Sequence, residues 1–414
     1  MASIVGDPVE TGMQNQADSA YPTLAVAEMG WLAIVLVYVS TVASMAMVGV
    51  AAALTIDLGA AMHVPRHEVG LALSMFSLPS ALGAVFCGGL VDRWGARRIM
   101  IGSAVLGAIA ALVVVLGGGF AMLTLALAVA GIGFTGISVA APALLVSATT
   151  GHRQVRAMSL WSTYAPTGFA VGLLLAAPFA GTGHWQPAFL AYGALMLILA
   201  LASFRLPAVR TAGAMPWREQ LGSFAGVFRE AGIVRLACAV SVPSALSYGT
   251  SLIAPAYLAE VHGTSLAASA TVVAAVKGVA MIVCGLVTGA MLTRRFDRRL
   301  LFVMLALLGV AAQFIVFWPG SGFVGATVGL FGWLVAFSGM GAVAMAQLSQ
   351  VLRDPSQSGA ASGLVGQAIS VLSFLAPSIY FGMSGWSGFV LLAGLGLLLA
   401  TLALPVKRRA AIAV

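Results

Sequence analysis

The chain alternates long apolar runs with short polar segments. Twelve runs of about 20 residues can be placed along it, each long enough for a helix across the ~30 Å hydrocarbon core of a bilayer. The runs are continuously apolar and lack the alternation of a membrane β-strand, so the pattern predicts helices. The predicted spans are 31–55, 69–91, 99–116, 120–147, 158–180, 187–204, 236–257, 266–292, 300–318, 323–348, 360–383 and 387–406.

The composition excludes a soluble fold. Apolar residues make up 61% of the chain and charged residues 8%, with a mean hydropathy of +1.04, whereas about a quarter of the residues in a soluble domain are charged. The three cysteines, Cys87, Cys238 and Cys284, lie in separate apolar runs, so the sequence predicts neither a disulfide framework nor a metal site. We expect an all-α integral membrane protein.

The positive charges report the topology. All but two of the 20 Lys and Arg residues lie on the side of Arg93, in tails or alternate loops; the exceptions are Arg66 and Lys277. The positive-inside rule then places both termini in the cytoplasm, as in a multi-pass protein of the bacterial cytoplasmic (inner) membrane. The net charge of +8 is a topology signal, and because it sits in short loops it does not predict nucleic-acid binding.

A charged hinge separates the second and third runs and recurs later. The segment 88–98 reads GGLVDRWGARR, and a degenerate copy, GAMLTRRFDRR, stands at 289–299. The second copy keeps Gly289, Arg294, Arg298 and Arg299 but has Thr293 and Phe296 where Asp92 and Gly95 stand in the first. This repeat indicates a duplicated membrane protein.

The first copy resembles the loop 2–3 signature of the major facilitator superfamily of secondary transporters, Gly-x-Leu-x-Asp-Arg-x-Gly followed by paired basic residues. The resemblance implies twelve transmembrane helices in two pseudo-symmetric six-helix bundles that alternate in access. It also implies that the hinge latches the cytoplasmic gate in one conformation and releases it in the other. The gating residues implied are Gly88, Asp92, Arg93, Gly95, Arg97, Arg98, Arg294 and Arg298.

The domain organisation follows from the spans. A flexible cytoplasmic tail at 1–30 precedes an N-terminal bundle at 31–204, and a C-terminal bundle at 235–406 ends in a basic tail at 407–414. In the linker 205–234, Trp217, Leu221, Phe224 and Phe228 recur at helical spacing, which predicts an amphipathic helix on the cytoplasmic leaflet.

Lys277 is the strongest candidate for substrate binding. It lies near the centre of the eighth span, where a lysine costs roughly 2.5–3.5 kcal/mol on translocon scales and usually faces a cavity or a partner. Every acidic residue falls in a tail, in a loop or at a span end, so an anionic substrate could supply the missing charge. A small ion or loss of the lysine proton is the alternative. A single cation at the centre of the eighth span is similar to the arrangement in the oxalate and cyanate-type anion permeases of the superfamily. The eleventh span, however, has no second central cation.

Other polar residues inside the spans extend the site. The seventh span carries Ser241, Ser244, Tyr248 and Ser251 at spacings of three and four, a stripe that would face water or substrate. The resemblance implies that helices 1, 4, 7 and 10 line the cavity, so residues of other spans are substrate-binding candidates as well. The substrate-binding candidates are Lys277, Tyr38, Thr41, Ser241, Ser244, Tyr248, Trp333 and Gln367.

The sequence thus predicts a transporter for a small anionic organic solute. The partners are the solute, the lipid bilayer and, as an open question, a co-transported or exchanged ion; we expect a monomer with no cofactor and no nucleic acid. The alternatives are a proton-coupled efflux pump for drugs or metabolites and an importer of a larger ligand such as a siderophore. An enzyme is disfavoured because the spans hold no zinc-ligand or nucleophile-elbow motif.

Overall fold

The computed structural model describes residues 29–208, 226, 228–293, 297–352 and 358–405, and within them the regular structure is entirely helical. The helices of the first half are α1 (Trp31–Ala53), α2 (Thr55–Met62), α3 (Arg66–Ser74), α4 (Leu78–Trp94), α5 (Ala96–Gly117), α6 (Phe120–Ala148), α7 (Gly151–Trp161), α8 (Tyr164–Ala176) and α9 (Gln186–Ala202). Those of the second half are α10 (Ala231–His262), α11 (Leu266–Thr293), α12 (Arg298–Phe317), α13 (Gly322–Met345), the short α14 (Leu348–Val351), α15 (Ser358–Gly382) and α16 (Trp386–Ala403).

These helices provide the twelve predicted crossings. Nine helices of the described residues are long and apolar enough to cross a membrane. Two bent pairs, Arg66–Ala84 with Phe86–Trp94 and Gly151–Trp161 with Tyr164–Phe179, add two crossings if each pair is one span. Helix α11, 28 residues long, supplies the eighth span. The fold is therefore an all-α integral membrane fold with six crossings in each half of the chain.

Two spans begin earlier than predicted, and both are bent. The second begins at Arg66, is interrupted at 75–77 and bends by 69° between Arg66–Ala84 and Phe86–Trp94. The fifth begins at Gly151 and bends by 44° near 162–163. Pro79 stands in the first turn of α4, where proline is favoured because that position needs no backbone N–H partner. The seventh span likewise begins earlier than predicted, at Ala231.

The first half is held together by close contact between α1 and α8. Gly49 on α1 and Gly168 and Gly172 on α8 bring the two backbones together, and a Cβ at Gly172 would overlap the carbonyl oxygen of Ala46. Small residues at such interfaces let membrane helices approach each other closely. This contact fixes the position of α8, whose aromatic residues reach the centre of the molecule.

The two halves meet at one end of the molecule, which we call the closed end. Arg66 and Glu260 form an ion pair of 2.7 Å across the halves. One turn deeper, a Cβ on Gly70 would lie 2.5 Å from that of Phe381, and the hydroxyls of Ser74 and Ser378 are 2.9 Å apart. We call the opposite end, where Arg93 and Arg298 lie, the basic end.

The N-terminal tail, most of the linker and the C-terminal tail lie outside the described residues. The predicted amphipathic helix falls largely in that part of the chain. Of its apolar positions, only Phe228 is described, and it is exposed.

Candidate functional site: a cavity between the two halves

A cavity of about 600 Å³ lies between the halves. Its lining from the first half comprises Met45, Phe76, Ser77, Ser80, Ala84, Gly88, Phe134, Ser138, Val139, Tyr164, Ala165, Pro166 and Phe169. Its lining from the second half comprises Ser244, Ser247, Tyr248, Lys277, Phe337, Gly363, Gly366, Gln367, Ile369, Ser370 and Ser373. The volume lies within the range of small-molecule sites, ~300–1,000 Å³.

The cavity extends from the middle of the spans toward the basic end. Tyr248 and Lys277 lie near the middle of their helices, whereas Gly88 on α4 and Gly363 on α15 lie within two turns of their ends at the basic side. Beyond Ser74 and Ser378 the halves are in contact. In this conformation the cavity is therefore sealed at the closed end.

Lys277 lies at the deep end of this cavity. It stands eleven residues into α11, which places it about 17 Å along the helix, close to half the thickness of a hydrocarbon core. Its side chain is 8% exposed. The ammonium donates a hydrogen bond of 2.6 Å to Oγ of Ser251 on α10 and lies 4.4 Å from the centre of the Phe169 ring on α8.

Both partners of Lys277 are neutral. A hydroxyl and an aromatic face each stabilise a cation, but neither cancels its charge. Among the described residues that line the cavity, Lys277 is the one charged side chain, and the remaining polar groups are hydroxyls of Ser and Tyr and the amide of Gln367. The site can therefore balance one negative charge and donate hydrogen bonds to it.

Four of the eight predicted substrate-binding residues line the cavity: Lys277, Ser244, Tyr248 and Gln367. The hydroxyl of Tyr248 accepts a hydrogen bond of 3.5 Å from Ser77. The Gln367 amide donates to the backbone carbonyl of Ala81, so both side chains link the halves at the cavity wall.

The other four lie elsewhere in this conformation. The Tyr38 hydroxyl is 2.9 Å from Oγ1 of Thr163, where it ties α1 to the bend of the fifth span. Thr41 donates to the Val37 carbonyl of its own helix, and Ser241 is buried. Trp333 is fully buried with its ring against Gly309 of α12, because the helix face that it occupies turns into the second half instead of toward the cavity.

Sequence reasoning missed Phe169, Ser77, Ser80 and Ser247 in the cavity wall. Phe169 is an ordinary apolar residue of an apolar run, so nothing in the sequence distinguishes it from its neighbours. Ser77 lies in the break between α3 and α4, and Ser80 lies in the first turn of α4. The proline at position 79 was the available signal for that break.

The chain turns at Gly95 in the hinge between α4 and α5. Gly95 has φ of +87°, a conformation that favours glycine, and it ends α4 at Trp94. Gly88 lines the cavity, Asp92 is half-buried, and Arg93 and Arg98 are exposed.

Two of the hinge arginines, Arg97 and Arg298, bind carbonyl groups of their own half. Arg97 donates to the carbonyl of Leu206 at 3.3 Å and Arg298 to that of Ala346 at 3.0 Å, while Arg294 lies outside the described residues. In this conformation, an ion pair at the closed end, Arg66 with Glu260, joins the two halves. A gating role for the hinge stays a prediction.

A bundle of twelve membrane crossings with a central, one-end-closed cavity between its halves is the architecture of a secondary transporter. A sequence model described as Major Facilitator Superfamily matches residues 34–377. The chain belongs to this superfamily, and it is a multi-pass membrane protein.

Solved structures of the same fold agree. A point mutant of the nucleoside transporter NupG superposes with a TM-score of 0.71 at 13% identity, covering 90% of this chain and 98% of NupG. The inward-open xylose transporter XylE from E. coli gives a TM-score of 0.70 at 14% identity over 91% and 97% of the chains. A D-xylose–proton symporter gives 0.70 at 15% identity over 91% and 98%. No curated protein sequence matches this one significantly.

Proposed function

We propose that the protein moves a small organic anion across the bacterial cytoplasmic membrane by alternating access, with Lys277 as the counter-charge of the bound substrate. The observation that carries the proposal is the deep ammonium of Lys277, held by a hydroxyl and an aromatic ring in a cavity whose described lining has no carboxylate. An unbalanced charge at the centre of a membrane protein is costly. A substrate carboxylate would reduce that cost.

The surrounding groups suit such a ligand. Ser247 and Tyr248 project from α10 into the cavity wall, and Ser370 and Ser373 project from α15. Their hydroxyls can donate to carboxylate oxygens or accept from substrate hydroxyls. Phe76 and Phe134, whose ring centres are 5.1 Å apart, supply an apolar wall for the carbon skeleton. A hydroxylated monocarboxylate is the substrate chemistry that uses all these groups.

The orientation follows from the basic end. The positive-inside rule assigns the end with Arg93 and Arg298 to the cytoplasm, and on that orientation the cavity of this structure opens inward. Substrate exchange would then require the closed end to separate at Arg66 and Glu260 and at Ser74 and Ser378.

The test is a substrate panel in proteoliposomes, built from pairs that differ mainly in charge. Uptake of radiolabelled lactate is compared with that of glycerol, and gluconate with glucose, at equal concentration and with the membrane potential clamped. Empty liposomes and liposomes with heat-inactivated protein are the controls. We expect saturable uptake confined to the acids. Saturable uptake of the neutral partners without that of the acids would contradict the proposal and favour a neutral, polyhydroxylated substrate.

A further inference from the structure

A second large space lies away from the transport cavity. A groove of about 750 Å³ runs along the outer side of the first half, between α4 and α5, with α6 behind it. Helix α5 packs mainly against α6 and α9 and only lightly against α4. Because α4 and α5 are separated, Ile132 on α6 behind them is half exposed. This part of the molecule faces the bilayer.

The groove is separate from the transport cavity. On α4, Ala84 and Gly88 are one turn apart and line the cavity, whereas Leu90 and Trp94, also one turn apart, line the groove. With 3.6 residues per turn, these two pairs lie on different faces of the helix. A ligand in the groove would therefore contact a helix that also lines the transport path.

The groove has the dimensions and polarity of a lipid site. Its wall along α5 includes Arg98 at the basic end, then Gly102 and Leu106. Arg98 and Leu106 are eight residues apart, about 12 Å along a helix, which is close to the half-thickness of a hydrocarbon core, ~15 Å. The wall is largely apolar, with Arg98 as its charged member.

Arg98 is available to a headgroup. Its side chain is exposed, and the structure gives it no hydrogen bond or ion pair with a described residue, in contrast to its neighbour Arg97, which donates to the carbonyl of Leu206. Trp94, which is 53% exposed, lies beside it in the groove. Tryptophan and arginine at the membrane interface are the residues that anchor lipid headgroups.

We propose that this groove binds one anionic phospholipid, whose acyl chain lies along Leu90, Gly102 and Leu106 and whose phosphodiester pairs with Arg98. Two independent features carry this assignment: an apolar channel of one-leaflet depth and, at its mouth, a cation that has no partner among the described residues. The lipid would be drawn from the leaflet at the basic end. Cytoplasmic leaflets are rich in anionic lipids, so the inferred orientation and the inferred ligand agree.

Gly102 offers a way to fill the groove. A Cβ at this position would meet no atom within 4 Å, so Gly102→Leu can introduce a side chain into the acyl-chain channel with its Cβ clear of protein atoms. Gly394 on α16 also has open space around its Cβ position and provides a matched glycine away from the groove. Arg299, exposed at the basic end of the other half, is the matched arginine.

The experiment is native mass spectrometry of the full-length protein after incubation with equimolar phosphatidylglycerol and phosphatidylcholine of identical chains. Wild type should retain one phosphatidylglycerol about fivefold more often than phosphatidylcholine. This ratio is the effect of one basic residue near an anionic lipid. Arg98→Gln should abolish that preference and Arg98→Lys should keep most of it. Gly102→Leu should lower retention of both lipids. Arg299→Gln and Gly394→Leu should match wild type.

Two results would overturn the assignment. One is equal retention of the two lipids by wild type. The other is a loss of preference in Arg299→Gln as large as that in Arg98→Gln, which would indicate diffuse attraction to basic loops. Gel filtration confirms that each variant is folded before the lipids are added, and because inorganic phosphate lacks an acyl chain, an excess of it should not displace the lipid.

Discussion

At the scale of single residues, the environment of Lys277 explains how a lysine is held in the middle of the membrane. The ammonium has one hydroxyl acceptor, Ser251, and one aromatic face, Phe169. Ser251 itself donates to the carbonyl of Ser247, so its oxygen is oriented toward the lysine. This arrangement fixes the position of the ammonium group before the substrate binds.

Ser251→Ala should therefore weaken substrate binding more than turnover. Without the hydroxyl the ammonium loses its protein acceptor, and a hydrogen bond to a charged group contributes about 1.5–3 kcal/mol. The KM for the anion should rise about tenfold or more, with the maximal rate changed less, as measured by initial uptake rates in proteoliposomes.

Ser40→Ala is the matched control for this variant. Ser40 is also buried, but its hydroxyl donates to the Leu36 carbonyl of its own helix. Its KM should equal that of wild type. An unchanged KM in Ser251→Ala would refute the idea that this hydroxyl orients the charge.

The sequence predicted those site residues whose side chains differ in polarity from the apolar run around them. Lys277 is conspicuous as a cation inside an apolar run, and Ser244 and Tyr248 form a polar stripe on one helix. Tyr38 and Trp333 lie outside the cavity of this conformation. The face of a helix that turns to the cavity is set by packing between helices, which the hydropathy of a uniformly apolar helix does not report.

At the scale of helices, the apolar runs predicted the spans because the thickness of the bilayer fixes their length. The predicted 99–116 became Ala96–Gly117 and the predicted 387–406 became Trp386–Ala403. The bends in the second and fifth spans were not predicted. They depend on backbone conformation at 84–86 and 162–163, and the residues there are as apolar or as small as those of a straight helix.

The close packing of α1 and α8 gives a prediction at this scale. Gly172→Val should destabilise the protein by about 1–3 kcal/mol, the usual cost of an overpacked interface, because the new Cβ would overlap the carbonyl oxygen of Ala46. The thermal midpoint in detergent and the monodisperse fraction on gel filtration should both fall.

Gly394→Val serves as the control, since a Cβ at that position meets nothing within 4 Å. Its thermal midpoint should stay near that of wild type. Equal midpoints for the two variants would show that the approach of α1 and α8 is looser than the structure indicates.

At the scale of the whole molecule, the polar contacts that join the two halves at the closed end are weak. Arg66 and Glu260 are each about 40% exposed, and exposed ion pairs contribute only ~0–1 kcal/mol. The hydroxyl pair of Ser74 and Ser378 adds one hydrogen bond. Such contacts suit a seal that must open repeatedly during transport.

A disulfide at this seal should trap the protein. In a variant with the three native cysteines replaced, Ser74→Cys combined with Ser378→Cys should cross-link on mild oxidation, since the native side-chain oxygens are 2.9 Å apart. Substrate uptake should then cease and return after reduction. Each single cysteine variant should be insensitive to oxidant. Full uptake by the cross-linked protein would contradict alternating access through this end.

The central claim is that Lys277 supplies the charge that binds the transported anion. The most direct measurement is saturable uptake of an anion that wild type transports, in Lys277→Gln and Lys277→Arg, with folding checked by gel filtration. The account predicts a fall of at least about tenfold in Vmax/KM for Lys277→Gln, the size expected for loss of a charged hydrogen bond, and partial retention in Lys277→Arg. Wild-type uptake kinetics in Lys277→Gln would contradict it.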